Sequence, residues 1–263
     1  MPGMLGDGPV KETVLYCKRS PYQEIKLTQL EGGQFACYLD DCIQFVSGHD
    51  DIVYHGTLAS MAANMLKGQP GKALILGGGD GLAARNLLQY PNIKEIRMVE
   101  LDPEMVAFSA NHPVMRQLNG DSFRNPRLKL EVGDARKWVK HSPEGGFQLA
   151  IVDFPDPLGP EMADLFSAPF YNQVMAHMDQ SRPTFAVQSS MAFSDVEEHV
   201  EGELSKVTGT GSIPVRFIGE WMMDGTIVYS GRGVDPRLTR LPDQYVAKEA
   251  LGFRGREVLG EMF

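Results

Sequence analysis

The chain has 263 residues, is 43% hydrophobic and carries a formal net charge of −9. That length and apolar content suit one large domain, or a domain with a small accessory. The negative balance excludes general nucleic-acid binding, and no apolar run is long enough to span a bilayer. The opening MPGMLGDGPVKE lacks the charged-then-apolar pattern of an export signal. The expectation is therefore a soluble, cytoplasmic protein with no membrane partner. Cys17, Cys37 and Cys42 lack metal-ligand spacing and read as buried free thiols, and no metal is expected.

Residues 1–11 read as a flexible lead. Short strand-like runs follow at Val14-Leu15-Tyr16, Glu24–Leu27, Phe35–Leu39 and Ile43–Phe45. Gly32-Gly33 and Asp40-Asp41 mark hairpins between them. Residues 1–50 are thus predicted to form a small antiparallel β-domain, in which Ser20-Pro21-Tyr22-Gln23 and Gln44 stand out. Asp50 to His55 leads into a stretch, Leu58 to Leu66, whose spacing predicts a helix.

The segment from Lys72 to Asp102 organises the rest of the chain. An apolar run, Ala73 to Leu76, ends in Gly77, Gly78 and Gly79. Asp80 and Gly81 come next, then good helix formers from Leu82 to Leu88, then a second apolar run, Ile96 to Val99, that ends in Glu100. This is the pattern of a βαβ unit. Its glycines let the backbone bend tightly and approach a ligand, and an acid about 20 residues on can accept from ribose hydroxyls. Asp80 would repel a pyrophosphate at this turn and suits a cationic cofactor tail instead. It also reads as a cap for the helix starting at Leu82.

Beyond Asp102 the alternation continues. Pro103 opens a helix through Ala110, Leu128 to Val132 is a strand that runs into Gly133-Asp134, and a helix from Ala135 to Lys140 comes after it. Phe147 to Val152 is a buried strand ending in Asp153, and Phe154 to Pro160 is a proline-stiffened, non-helical loop. Helix, strand and helix then run over Pro169–Met178, Thr184–Val187 and Asp195–Val207. Ile213–Ile218 and Thr226–Tyr229 form a closing hairpin around Glu220-Trp221, and a short helix plus coil is expected from Leu241. Residues 51–263 are predicted to be a Rossmann-like, doubly wound α/β domain. Asp80, Glu100, Asp134 and Asp153 all stand at strand ends, where such sheets bind ligands.

A carboxylate pair held stiffly in Asp153-x-x-Asp156 can grip an amine. An aliphatic amine must lose a proton before it attacks, at a cost of about 4–5 kcal/mol at pH 7. A carboxylate can take that proton and aim the lone pair. If the electrophile is a carbon beside a sulfonium, positive charge vanishes in the transition state. Carboxylates that only stabilised the sulfonium would then slow the reaction.

Together, in this order, Tyr22-Gln23, Leu39-Asp40 with Ile43-Gln44, Tyr54-His55, Gly77 to Gly81, Glu100-x-Asp102, Asn125-Pro126-Arg127, Asp134, Asp153-x-x-Asp156-Pro157 and Phe170-Tyr171 resemble the polyamine aminopropyltransferases. These are the spermidine and spermine synthases; the Asp-Phe-Pro-Asp-Pro loop and Gly-Glu-Trp are similar to a synthase-like branch. The resemblance implies a methyltransferase-type catalytic domain, a homodimer or homotetramer, and decarboxylated S-adenosylmethionine as co-substrate. It places Gln23, Gly77, Gly78, Gly79, Glu100, Asp134, Ala135 and Pro160 at the nucleoside, and Asp80 at the aminopropyl ammonium. Asp153 would be the general base, with Gln44, Tyr54, His55, Asp156 and Arg216 around a small amine acceptor. Several positions depart from the family pattern. Asp40-Asp41 replaces Asp-Gly, Asp50-Asp51 replaces Asp-Glu, Gly56 replaces an acid, and Arg216 stands where many members carry an aromatic residue. An acceptor-facing Arg216 would favour an amine that also bears an acidic group. Two alternatives are transfer of a methyl or aminocarboxypropyl group from S-adenosylmethionine itself, and a non-catalytic nucleoside-binding homologue.

Overall fold

The computed structural model describes residues 11–65, 71–157, 160–219 and 224–234. Four strands open the chain: β1 (Glu12–Arg19), β2 (Glu24–Leu30), β3 (Phe35–Leu39) and β4 (Cys42–Val46). They form an antiparallel meander in the order β1-β2-β3-β4. Its last turn places Asp40 and Asp41 at φ 46° and 65°, the left-handed pair that a two-residue hairpin of this hand requires. Helix α1 (His49–His55) comes next and runs into a π-helical turn, Gly56–Met61, and a short α2 (Ala62–Met65). Asp50 to His55, expected to be a lead-in, is therefore itself helical.

The second sheet is built from β5 (Gly71–Gly77), β6 (Ile93–Glu100), β7 (Leu128–Val132), β8 (Leu149–Asp153), β9 (Thr184–Met191), β10 (Ile213–Phe217) and β11 (Gly225–Ser230). Between them lie α3 (Leu82–Leu88), α4 (Pro103–Asn111), α5 (Pro113–Leu118), α6 (Ala135–His141), α7 (Pro160–Ala163), α8 (Ala168–Ala176) and α9 (Asp195–Thr208). The strand order is β10-β11-β9-β8-β5-β6-β7. Strands β9, β8, β5, β6 and β7 are parallel neighbours, and β11 and β10 add an antiparallel edge. The doubly wound α/β expectation holds. Two details differ from it: α5 was not anticipated, and Pro160 opens a helix rather than closing a loop.

Helices cover both faces of the sheet, so its central strands are apolar throughout. In β5, Ala73 and Ile75 join the core under the π turn and α3, while Leu74 and Leu76 join the core under α6, α8 and α9. The meander seals a third core against the second sheet's helices. Its Ile25, Leu27, Cys37 and Phe45 pack on Leu82, Met105, Phe108 and Met115. The carboxyl ends of β5 and β6 thus open beneath the meander. The lead residues 1–10, Glu220-Trp221 and the tail lie outside the described residues, as does the side chain of Pro160.

Candidate active site

The sheet winds outward in both directions from β5, so the crevice between β5 and β8 is its topological switch point. Gly77 and Asp153 are paired in register across that crevice. Gly77 sits at φ +87°, and a Cβ added there would lie 2.2 Å from the Asp153 carbonyl oxygen. A Cβ on Gly78 would touch the Asp153 carboxylate at 3.4 Å, and one on Gly79 would meet Glu100 Oε2 at 2.7 Å. Each glycine of the turn therefore leaves room for an acid from a neighbouring strand.

Those acids converge. The Tyr54 hydroxyl at the end of α1 donates to Asp153 Oδ1 at 2.5 Å. Burial, and then the neighbouring Asp80 charge, push the Asp153 carboxyl up to about 6; His55 and the Tyr54 hydrogen bond hold it from rising further. Asp80 is one residue past the glycines; the cap position of α3 falls to Gly81 rather than to Asp80, but Asp80 Oδ1 still accepts from the Leu82 amide at 2.8 Å. Its Oδ2 lies 3.7 Å from His55 Nε2. The other ring nitrogen, His55 Nδ1, is 2.9 Å from Asp51 Oδ1. Arg85 grips Asp51 with both terminal nitrogens, each at 2.9 Å. Burial alone would favour a neutral imidazole, but the two flanking carboxylates outweigh it and lift His55 to about 10. Asp51 is opposed by burial in turn, yet the hydrogen bonds from His55 and Arg85 bring it down to about 2.

On the other flank, the Glu100 carboxylate is buried and accepts from the Asp102 amide at 2.9 Å. Burial raises it to about 7. Asp102 joins the two sheets. It accepts from the Glu104 amide at the start of α4, from Ser20 Oγ at 2.7 Å and from Gln23 Nε2 at 3.0 Å. Asp134 caps α6 by accepting from the Arg136 amide at 2.9 Å, and Ala135 is buried at the first position of that helix. The Gly133 amide donates to the Glu100 carbonyl, which ties the ends of β6 and β7 together.

Asp156 stands past the end of β8. It accepts from Gln188 Nε2 at 2.8 Å and from Ser190 Oγ at 2.9 Å, both at the end of β9. Gln188 Oε1 is buried and has no partner among the described residues. Gln44 turns its amide back onto the Cys42 carbonyl at 3.2 Å.

The structure does not bring Arg216 to this group. Val215 and Phe217 face the α1 side, where Phe217 meets the Tyr54 ring at 5.7 Å. Strand alternation sends Arg216 to the opposite face. There it is paired with buried Glu197 and lies 3.9 Å over the Phe193 ring. Its charge is compensated, so the expected preference for an acid-bearing acceptor loses its basis.

Sequence reasoning singled out the Ser20 segment without its partner Asp102, and missed Asp51, Arg85, Gln188 and Ser190 as parts of the candidate site. The four-residue spacing of Asp51 and His55 was a usable signal, since such pairs meet on a helix. The remaining contacts cross 32 to 82 residues of chain and leave no local trace.

Among the curated relatives, polyamine aminopropyltransferase 2 of Aquifex aeolicus is 44% identical over 61% of this chain and 31% of its own length. The polyamine aminopropyltransferase of Corynebacterium efficiens is 33% identical over 90% of this chain and 46% of its own. The chain thus spans about a third to a half of the length of the curated relatives it matches. Among solved structures, a spermidine synthase in complex with the transition state analogue AdoDATO superposes with a TM-score of 0.78 at 20% identity, covering 96% of this chain and 90% of that one. The spermidine synthase of Thermotoga maritima gives 0.76 at 20% identity, with 96% and 89% covered. The family model described as the spermine/spermidine synthase domain matches residues 51–208, more than half of the sequence and the whole span from Asp51 to the end of α9. The chain belongs to the spermine/spermidine synthase family.

Proposed function

We propose that this chain transfers the aminopropyl group of decarboxylated S-adenosylmethionine to a small diamine or polyamine, releasing methylthioadenosine. The observation that carries this reading is the cluster of Asp153, Asp80 and Tyr54 at the switch point, with Asp156 beside it. Glu100 and Gln23 border the side where a ribose would lie, with Asp134 and Ala135 beyond. Asp80 faces the ammonium of the aminopropyl tail. The acceptor amine lies between Asp153 and Asp156, the latter held by Gln188 and Ser190.

The step balances with these groups alone. Asp153, ionised above about pH 6, takes a proton from the acceptor ammonium. The freed lone pair attacks the methylene beside sulphur, the C–S bond breaks, and its electrons neutralise the sulfonium. Tyr54 holds Asp153 in place through its hydrogen bond. A polar ligand that replaces water here sits among fixed charges, which favours orientation over reorganisation.

Asp153→Asn should lower methylthioadenosine release by roughly 10²–10⁴-fold. Calorimetric affinity for the decarboxylated cofactor should change little. Wild-type turnover in that variant refutes the assignment. Amine acceptors, with and without an acidic group, are ranked by the same release assay.

A second reading has its own support. Transfer from S-adenosylmethionine itself would set the methionine carboxylate beside Asp80, and the imidazolium of His55 supplies a cation there. Tighter binding of the carboxylated form in a paired titration would favour that reading.

The same proposal places the enzyme in the cytoplasm as a homodimer or homotetramer. Three unbonded thiols suit a reducing compartment, although of the three expected to be buried only Cys37 is; Cys17 and Cys42 are exposed. Strand β1 is an edge strand, and Val14 and Leu15 are 55% and 38% exposed on it. No helix among the described residues is long and apolar enough to cross a membrane.

A further inference from the structure

A run of alternating charges extends from α3 into the switch point: Arg85, Asp51, His55, Asp80. Its contacts are two at 2.9 Å between Arg85 and Asp51, one at 2.9 Å to His55 Nδ1, and one at 3.7 Å from His55 Nε2 to Asp80. The first three members do not line the open crevice. The His55 ring is 1% exposed and the Asp51 side chain 6%. Arg85 is further fixed by donating to the Leu118 carbonyl at 2.9 Å. With both nitrogens facing carboxylates, His55 is oriented toward those acids rather than toward an acceptor.

We propose that Arg85 and Asp51 are positioning residues that hold His55 as a cation against Asp80, so that Asp153 remains a carboxylate able to accept the amine proton at neutral pH. This rests on the aminopropyl-transfer reading for its purpose, but not for its physical content. Like charges in one crevice suppress each other's ionisation. Asp80 raises Asp153 and His55 lowers it, so the cation offsets part of the repulsion between the two acids. Other charged and titratable groups face this cluster. Tyr54 donates to Asp153 from α1, Asp156 adds its charge at Tyr54, Glu100 feels Asp80 from β6, and the Cys37 thiol feels Asp80 from β3. None of them carries a positive charge. Among these groups His55 alone balances the acids, and Arg85 with Asp51 fixes where it sits.

The test begins on the unaltered protein. Nitrogen-15 spectra of its histidines should show His55 with both ring nitrogens protonated through pH 8, and a neutral ring at pH 7.5 overturns the proposal. Carbon-13 titration of the aspartate carboxyls should place the Asp153 midpoint near 6. In His55→Gln that midpoint should rise by ~1 unit or more, and an unmoved midpoint overturns the proposal. Asp51→Asn takes its place if that variant does not fold, with the same expected direction. The acidic limb of kcat/KM should move with the carboxyl midpoint. A uniform loss of activity with the limb in place would mark a purely structural role and overturn the proposal. Arg85→Lys, which keeps the charge, should leave the limb nearer its wild-type position than Asp51→Asn does. If the unaltered protein releases no methylthioadenosine, the aminopropyl reading fails while the two titrations still decide this one.

Discussion

Asp153, the proposed base, is held at a cost to the fold. Its carboxyl sits near 6 when folded and near 3.8 when free, so the folded chain binds a proton more tightly between those values. Stability therefore falls as pH rises from about 4 to 6 and stays lower above. Asp153→Asn removes that burden and keeps an oxygen for the Tyr54 hydroxyl. It should raise Tm at pH 7.5 while lowering transfer by the factor given above, and differential scanning calorimetry beside the release assay checks both. His55 has the same sign of pH dependence, but here the protonated form is the charged one, so folding favours the cation. Its folded value near 10, against 6.5 free, stabilises fully below about pH 6.5, and the contribution is lost as pH rises through 10. Wild type should thus lose Tm between pH 7 and 10 more steeply than His55→Gln. Asp153 was legible in sequence because it ends an apolar strand before a proline-stiffened loop. The charge of His55 was not, because it depends on Asp51 across one helical turn and on Asp80 across 25 residues of chain. Arg216 was misplaced for a reason the sequence does contain. The alternation Val215-Arg216-Phe217 buries the flanking residues on one face and turns the arginine to the other.

At the scale of elements, the turn after β5 sets what can approach what. Gly79 has no left-handed requirement, yet a Cβ there would lie within 3 Å of three atoms of the Glu100 side chain. Gly79→Ala should therefore displace that carboxylate and weaken nucleoside binding while leaving Tm nearly unchanged; isothermal titration and a melt distinguish the two effects. Gly77→Ala should do worse, since it combines φ +87° with a 2.2 Å clash against backbone. A strained backbone of this kind costs about 1–3 kcal/mol before the clash is counted. The βαβ pattern from Ala73 to Glu100 was readable because strand, glycine turn and helix each leave a period or a breaker in the sequence. The helix over His49–His55 was harder to read. It is only seven residues long, starts at Gly48 with no side-chain cap, and runs into a π turn that breaks the 3.6-residue period. Helix α5 begins at Pro113, directly after a residue in extended conformation, and its six residues are too short a window for the spacing of Val114, Met115 and Leu118 to stand out as a period.

For the whole molecule, the meander does more than shield one side of the second sheet. Its outer strand β1 offers an unpaired edge, with Val14 and Leu15 exposed. If that edge joins two copies, light scattering on eluting protein should give a dimer or tetramer, and the double change Val14→Lys, Leu15→Lys should give a monomer. A monomeric wild type would remove β1 from consideration. The inner turn of the meander reaches the second sheet through Asp102, which accepts from both Ser20 and Gln23. The Ser20 hydroxyl also receives the Tyr22 and Gln23 amides. A nucleoside that settles against Glu100, two residues away, must therefore tighten or loosen this joint. Deuterium uptake at the Tyr22 and Gln23 amides becomes a remote reporter of occupancy, readable without following any chemistry at the sulphur.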